Sequence, residues 1–296
     1  MNNAVQAIRL QNNPIISAQS SSSIGANING PSLIKVPSWL PNALGRYYLY
    51  FAHHSGEYIR LAYAQELQGQ WFIHEPGTLK LKETVCVHHI ASPDVHVDNE
   101  KREIRMYFHG PIGQGNKQVS LAATSADGIR FTASKEFLGE SYFRVFQWGG
   151  YSYAMAKAGF LYRSANGLNE FERGINPFTF DPALYQARHV ALKLDGNLLS
   201  VFYSRIGDFP ERILMSVIEL HPDWRTWKAS EPVTVLKPEK EYEGVDLPIA
   251  RSRVGAALGR VRELRDPAVF RELDKNYLLY SVAGESGIAI SELVQT

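Results

Sequence analysis

The sequence predicts an all-β protein: a five-bladed β-propeller, each blade a four-stranded antiparallel sheet, with the ring closed by an N-terminal strand. Two observations predict it. Five segments pass from a polar or Gly/Pro group into an apolar run ("NGPSLIKV", "SPDVHVD", "YFRVFQWG", "RHVALKLDG", "RDPAVFRE"). Each is followed by a turn and a second strand ("RYYLYFA", "IRMYFHG", "YSYAMA", "LLSVFYS", "NYLLYSVA") and then a third ("YIRLAYA", "QVSLAATS", "GFLYRSA", "RILMSVIEL", "GIAISEL"). Three of the third strands run into a Gly-containing turn before an aromatic ("AQELQGQWF", "SADGIRF", "SANGLNEF"), and the fourth uses "HPDWRTW". One strand-rich unit repeated five times, with little helical periodicity, is the pattern of blades set around a central channel.

Taken in chain order, "QAIRLQNNPIIS" supplies the closing strand and "SSSSIGANING" a loop, so both lie within about residues 1–28. Fourth strands are read in "FIHEPGTLKL", "FTASKEFL" and "PVTVLKP". The fifth copy ends without one, which is why the N-terminus is expected to complete it. "DPAVFREL" and "RVGAALGRVREL" invite a helical reading, and the latter is assigned to a long insertion between blades. The whole chain, 1–296, is expected to form one domain.

Composition excludes several classes. Thirty-one basic against thirty acidic residues, without runs of like charge, leave no footprint for nucleic acid. No segment has the length of apolar sequence a membrane span needs. The first residues lack the pattern of a signal peptide, and Cys86 is the only cysteine, so no internal disulfide forms and a cytoplasmic location is expected. The oligomeric state is left open by the sequence.

Neighbouring strands run antiparallel, so the starts of the first strands share a face with the second-to-third connections. That face gathers Asn29, Asp94, Arg144, Arg188, His189, Arg265 and Asp266 with His53, His54, His109 and Glu285, and the charged tip "SRIGDFPERI" overhangs it. Such a gathering at one channel end is where a ligand pocket is expected, and the charges of the tip are read as chemistry. Two carboxylates across a small pocket suit glycoside hydrolysis, one as acid and one as base. Asp94 is the candidate base and Glu211 the candidate acid. Asp266 is read as the counterpart of Asp94, and Glu243 is a second-choice acid. Turn capping for Asp94 and an arginine-paired rim position for Glu211 are the competing readings. Asn29, His54, Arg144, Arg188, His189, Arg205, Asp208 and Glu243 are assigned to substrate binding. Adjacent strand residues face opposite sides, so the pairs His53–His54 and His88–His89 each offer one metal ligand at most, and no HExxH or CxxC spacing occurs. No metal is assigned to the site and no cofactor is required, while the fold leaves room for a structural cation on the propeller axis.

"SPDVHVD", "RDPAVF", "YYLYFA…IRLAYA" and turns such as "SADGIRF" together resemble the five-bladed β-propeller glycosidases, the broad group of arabinanases and β-xylosidases, over nearly the whole chain. The resemblance implies a pocket at one end of the channel, inverting two-carboxylate chemistry and a small carbohydrate substrate. Members of that group commonly place an aspartate, often as Asp-Pro, at the start of the first inner strand as general base. Here that place is read as Asn29 with Gly30, and an amide cannot take a proton from water. Two further readings follow: a glycoside phosphorylase, with Arg188, Arg205, Arg212 and His189 binding phosphate, and a non-catalytic sugar-binding propeller.

Overall fold

The computed structural model describes residues 5–115 and 117–295. Four sheets have four consecutive strands each along the path from the axis outward. Blade 1 has Asn29–Lys35, Tyr47–Ala52, Arg60–Ala64 and Phe72–Ile73. Blade 2 has Ala91–Asp98, Glu103–Ile112, Lys117–Ser125 and Thr132–Ala133, with Gly139–Glu140 also paired to its third strand. Blade 3 has Arg144–Trp148, Tyr151–Met155, Leu161–Ser164 and Glu172–Arg173; its outer strand is one that the sequence pattern did not reveal. Blade 4 has Gln186–Asp195, Leu198–Ile206, Ile213–Glu219 and Val233–Leu236.

Blade 5 runs Arg265–Glu272, Lys275–Ser281 and Gly287–Gln295, and the N-terminal strand Val5–Arg9 completes it antiparallel to the last. The ring is therefore closed by the N-terminus, as expected; residues 1–4 of the expected closing segment lie outside the described residues. "DPAVFREL" is mostly inner strand of this blade rather than helix, because alternate residues must face two different neighbours. The stretch from Val245 to Leu264 is an irregular connection between blades 4 and 5.

Hydrophobic packing explains why the second strands read as unbroken apolar runs. In "YYLYFA", Tyr47, Leu49 and Phe51 enter the core shared with blade 5, whereas Tyr48 and Tyr50 enter the core shared with blade 2. A strand with a blade on either side is buried on both faces, so the alternation expected of a half-exposed strand disappears. Five such cores lie between successive blades.

The glycine turns couple the blades. Tyr50 donates its hydroxyl hydrogen to the Gly128 carbonyl at 2.7 Å, and Tyr107 does the same to Gly167 at 2.8 Å. Each glycine has a left-handed backbone, with φ of 70° and 74°, which turns its carbonyl toward the preceding blade at low steric cost. The "S-x-DG" and "S-x-NG" motifs are thus inter-blade staples.

Candidate active site

The inner strands carry one extra residue at the same point in each blade. Pairing slips between Asn29 and Ser32, Ala91 and Asp94, Ala187 and Val190, and Arg265 and Ala268. In blade 3, Lys157 donates to the Ser141 carbonyl while Arg144 pairs with Met155, which marks the same slip. Gly30, Ser92, Tyr142, Arg188 and Asp266 therefore occupy equivalent places. Four have positive φ: Gly30 59°, Ser92 51°, Tyr142 71° and Asp266 48°. A bulge of this kind re-aims the side chain it carries. Non-glycine residues held in the left-handed region cluster where function requires them.

This register changes two readings. Asp94 is not the counterpart of Asp266: it stands level with Ser32, Arg144, Val190 and Ala268, deeper in the channel. There it lines an axial cavity of about 320 Å³, away from the mouth, and accepts hydrogen bonds from His96 Nε2 and the Val145 amide at 2.8 Å each. Burial would raise its carboxyl; the neighbouring His96 and Arg144 outweigh that and lower it. Second, the place equivalent to Asp266-Pro267 in blade 1 is Gly30-Pro31, one residue beyond Asn29. A Cβ at Gly30 would stand 3.2 Å from Ser92 Cα, so Ser92 crowds the space a side chain would need.

The mouth holds a cavity of about 180 Å³ lined by Asp266, His189, Tyr142, His109, His54 and Glu285, among others. Two histidine–carboxylate pairs face it. Asp266 accepts from His189 Nδ1 through one oxygen and from Ser281 Oγ at 3.2 Å through the other. With Nδ1 engaged, His189 Nε2 is left buried and, among the described residues, without a partner. Glu285 Oε2 lies 3.6 Å from His54 Nδ1 and accepts from Asn27 at 2.7 Å and Asn29 at 3.2 Å. Its Oε1 accepts from Arg265 at 3.1 Å. The Tyr142 ring stands edge-to-face between His109 and His189, at 4.2 and 4.1 Å between centroids.

Electrostatics divide these groups. Burial alone would raise Asp266, but His189, then Arg188 and Arg265, hold it well below the usual carboxylate range. The Glu285 carboxylate beside its Nδ1 raises His54 against the opposing effect of its burial. Tyr142 is pushed up to about 12 by burial and by Asp266, so its hydroxyl remains a donor. His109 is held well below its ordinary 6.5, by burial first and then by His189 and its other cationic neighbours.

The last shift has a measurable consequence. Below pH 6.5 the unfolded chain protonates His109 and the folded chain does not, so the unfolded state binds more protons and stability is lost as the pH is lowered; above 6.5 the difference vanishes. His109→Gln is expected to recover up to about 2 kcal/mol at pH 5 relative to its own effect at pH 8, read from urea midpoints at the two pH values.

Other sequence candidates form framework rather than pocket. Glu211 is completely buried: its two oxygens accept from Arg188 at 2.8 and 3.1 Å, Ser252 donates to Oε2, and Arg265 Nε lies 3.4 Å away. No oxygen is left to meet a substrate. Asp208 is held by Arg205 at 2.8 Å, and Arg205 stacks on Tyr185 at 4.0 Å. Glu243 does not line the pocket: it takes Arg9 of the closing strand at 2.7 and 2.9 Å and the Tyr280 hydroxyl at 3.0 Å. Of the charges of "SRIGDFPERI", Glu211 ties the tip to Ser252 and Arg265, Arg205 and Asp208 pair with each other, and Arg212 donates to Thr234. Of the residues read as a phosphate site, Arg188 and Arg205 each pair with a buried carboxylate. On the axis, Arg144 is buried, donates to the Ser92 carbonyl at 3.1 Å and feels both Asp94 and Asp266. A guanidinium already supplies the positive charge that an axial cation would bring. Among the described residues, no group of three or more His, Cys, Asp or Glu is placed to hold a metal.

Tyr142, Ser281 and Ser252 escaped sequence reasoning, and Glu285 was seen only as part of a tip. The signal for Tyr142 was its place in "YFRVF", which matches that of Asp266 in "DPAVF".

The fold is shared with solved sugar-active propellers. A thermostable family-43 glycoside hydrolase aligns with a TM-score of 0.65 at 14% identity, over 91% of this chain and 89% of that one. A family-43 enzyme from Xanthomonas citri in complex with xylose gives 0.62 at 9% identity, over 97% and 89%. An N-acetylgalactosamine deacetylase from F. plautii in complex with blood group B trisaccharide gives 0.63 at 11% identity, over 98% and 95%. Among the described residues, no helix is long and apolar enough to cross a membrane. No protein-family profile matches the sequence. The uncharacterized protein R118 of Acanthamoeba polyphaga mimivirus is 39% identical over 297 aligned residues, covering 90% of this chain and 83% of that protein, and the chain belongs to the same family.

Proposed function

We propose that the protein is a glycoside hydrolase that acts, as a single domain of 1–296, on a small glycoside with inversion, using two histidine–carboxylate pairs where the usual mechanism has two bare carboxylates. The observation that carries this reading is His189, which lines the pocket: its Nδ1 is fixed by Asp266, and its buried Nε2 has no partner among the described residues. In that tautomer Nε2 takes a proton from water as the water attacks the anomeric carbon, and Asp266 stabilises the imidazolium that forms. His54, kept protonated to higher pH by Glu285, gives its proton to the departing glycosidic oxygen. Tyr142 and Asn29 supply hydrogen bonds to the sugar hydroxyls.

A cavity of about 180 Å³ is below the roughly 300–1,000 Å³ of pockets for drug-sized ligands, which suits one terminal sugar ring and exo action. Propellers of the same fold hold xylose and a trisaccharide, which supports a carbohydrate ligand by analogy of fold. The buried free thiol of Cys86 suits a reducing compartment such as the cytoplasm, and the reading puts the enzyme in carbohydrate metabolism.

A second reading, sugar deacylation, is favoured by the same free Nε2, because a histidine–aspartate pair also activates water toward a carbonyl carbon. One experiment separates them. The protein is incubated with 4-nitrophenyl pentosides and hexosides of both anomers and with acetylated amino sugars, with and without phosphate, and products are followed by proton NMR. Phosphate-independent release of nitrophenol with inverted sugar is the expected result. Acetate release with the glycosidic bond intact would replace it by deacylation, and binding without turnover would leave a sugar-binding propeller.

A further inference from the structure

We propose that a groove beside the pocket takes the leaving group, and that this group is a non-sugar aglycone with an apolar face, aryl or alkyl; the proposal rests on the glycoside reading above. Glu285 lines both the pocket and an adjoining groove of about 520 Å³. The bond that crosses from one to the other therefore passes the His54–Glu285 pair, where the leaving oxygen needs its proton.

The groove's walls are unlike a sugar subsite. Pro14, Ala18, Tyr242, Ala257, Leu258 and Val282 are among its apolar lining, and its polar residues are already bonded, Ser17 to Gln19, Asn27 to Glu285 and Ser286 to the Ala283 carbonyl. The charged groups present are already engaged: Arg260 donates to the Glu241 carbonyl at 2.7 Å, and Glu285 is shared among Arg265, His54, Asn27 and Asn29. Sugars need hydrogen-bond partners for each hydroxyl they surrender from water, and few remain here. An aryl or alkyl group needs only area.

The inter-blade segment adds a second, independent observation. It carries three large apolar side chains exposed to water, Ile249, Val254 and Leu258, the last fully exposed, with Val254 at the pocket and Leu258 at the groove. Exposed apolar residues gathered on one segment beside a cavity mark a contact surface. The segment is fixed relative to the acid: Arg188 and Arg265 donate to the Gly255 carbonyl at 3.1 and 3.2 Å, and the Ala257 amide reaches Glu285 Oε1 at 3.4 Å. Leu258 thus stands at a set distance from the bond to be broken.

Leu258→Asp tests this, with the 4-nitrophenyl glycoside that is cleaved and the methyl glycoside of the same sugar as paired substrates. The expected result is a rise in KM of roughly tenfold for the nitrophenyl glycoside and an unchanged kcat/KM for the methyl glycoside. No effect on either, or an equal loss on both, overturns the proposal. A second measurement does not depend on turnover: titration of the full chain with benzyl alcohol, followed by amide NMR. Shifts at Ala257 and Gly259 that vanish in Leu258→Asp are expected. Their absence, with nitrophenyl glycosides still cleaved, overturns the groove and leaves the hydrolase. Their presence, with no glycoside cleaved, supports an apolar site and removes the glycoside reading instead.

Discussion

Asp266→Asn is expected to lower kcat by about a thousand- to ten-thousand-fold, with KM changed little and the fold intact. The carboxylate accepts the Nδ1 proton of His189 and so leaves the Nε2 lone pair free. An asparagine presents either its carbonyl or its NH2 group to that nitrogen. With Ser281 able to donate to the carbonyl, the NH2 group turns toward Nδ1, which must then accept, and the proton moves to Nε2. A base carrying its proton on the reacting atom cannot take another. KM is spared because Asp266 is buried and its two oxygens are already engaged by the protein. His189→Ala is expected to match the loss, and the double variant to add almost nothing, since the two residues act as one unit. The measurements are kcat and KM on the cleaved glycoside, with melting curves alongside. Turnover within tenfold of the parent in Asp266→Asn would remove the pair from the mechanism. Equal melting with lost turnover would exclude a merely structural role.

The propeller was legible because it is written five times, and because its reasons are local. "YYLYFA" is apolar throughout since each of its faces meets a different core, and "SADG" recurs as "SANG" since a tyrosine of the preceding blade needs the carbonyl of a left-handed glycine. The site was legible only in outline. The starts of the inner strands do line a cavity, but a single extra residue decides what each start presents. Asp266 stands on the bulge, at the mouth, and Asp94 two residues further along its strand, in the channel, although Asp-Pro and Pro-Asp look alike at the start of an apolar run. A one-residue change of register sends a side chain to the other face, and no strand pattern records it. Charge partners were equally hidden. Glu211 looked adjacent to Arg205 and Arg212, whereas folding gives it Arg188 and Arg265, one from blade 4's inner strand and one from blade 5's. Glu285 became a pocket residue only once Asn27, His54 and Arg265 converged on it from distant parts of the chain.

Glu211→Ala is expected to cost about 3–5 kcal/mol of stability, because it strands Arg188 and Arg265 in the interior without the carboxylate that balances them. For a domain of this size that corresponds to a melting temperature lower by on the order of 10 °C. The other carboxylates near Arg265 soften the loss without replacing it: Glu263 holds its Nε at 2.9 Å, and Glu285 its Nη1 at 3.1 Å. Arg188 has no second carboxylate among its hydrogen bonds, so its charge is the one left bare. Glu211→Gln keeps the shape and one acceptor, and is expected to destabilise by less than the alanine variant. The two substitutions separate framework from chemistry. A general acid at position 211 would make Glu211→Gln inactive with its melting curve unmoved. A framework carboxylate gives the reverse: a lowered melting temperature, and a kcat at 20 °C within about tenfold of the parent. Some rise in KM accompanies it, since Ser252 and Gly255 lose part of their anchorage and the segment carrying Val254 and Leu258 loosens over the mouth. Thermal melts and steady-state kinetics of Glu211→Gln therefore decide whether the charged tip between the fourth blade's middle strands holds the site together or carries out its chemistry.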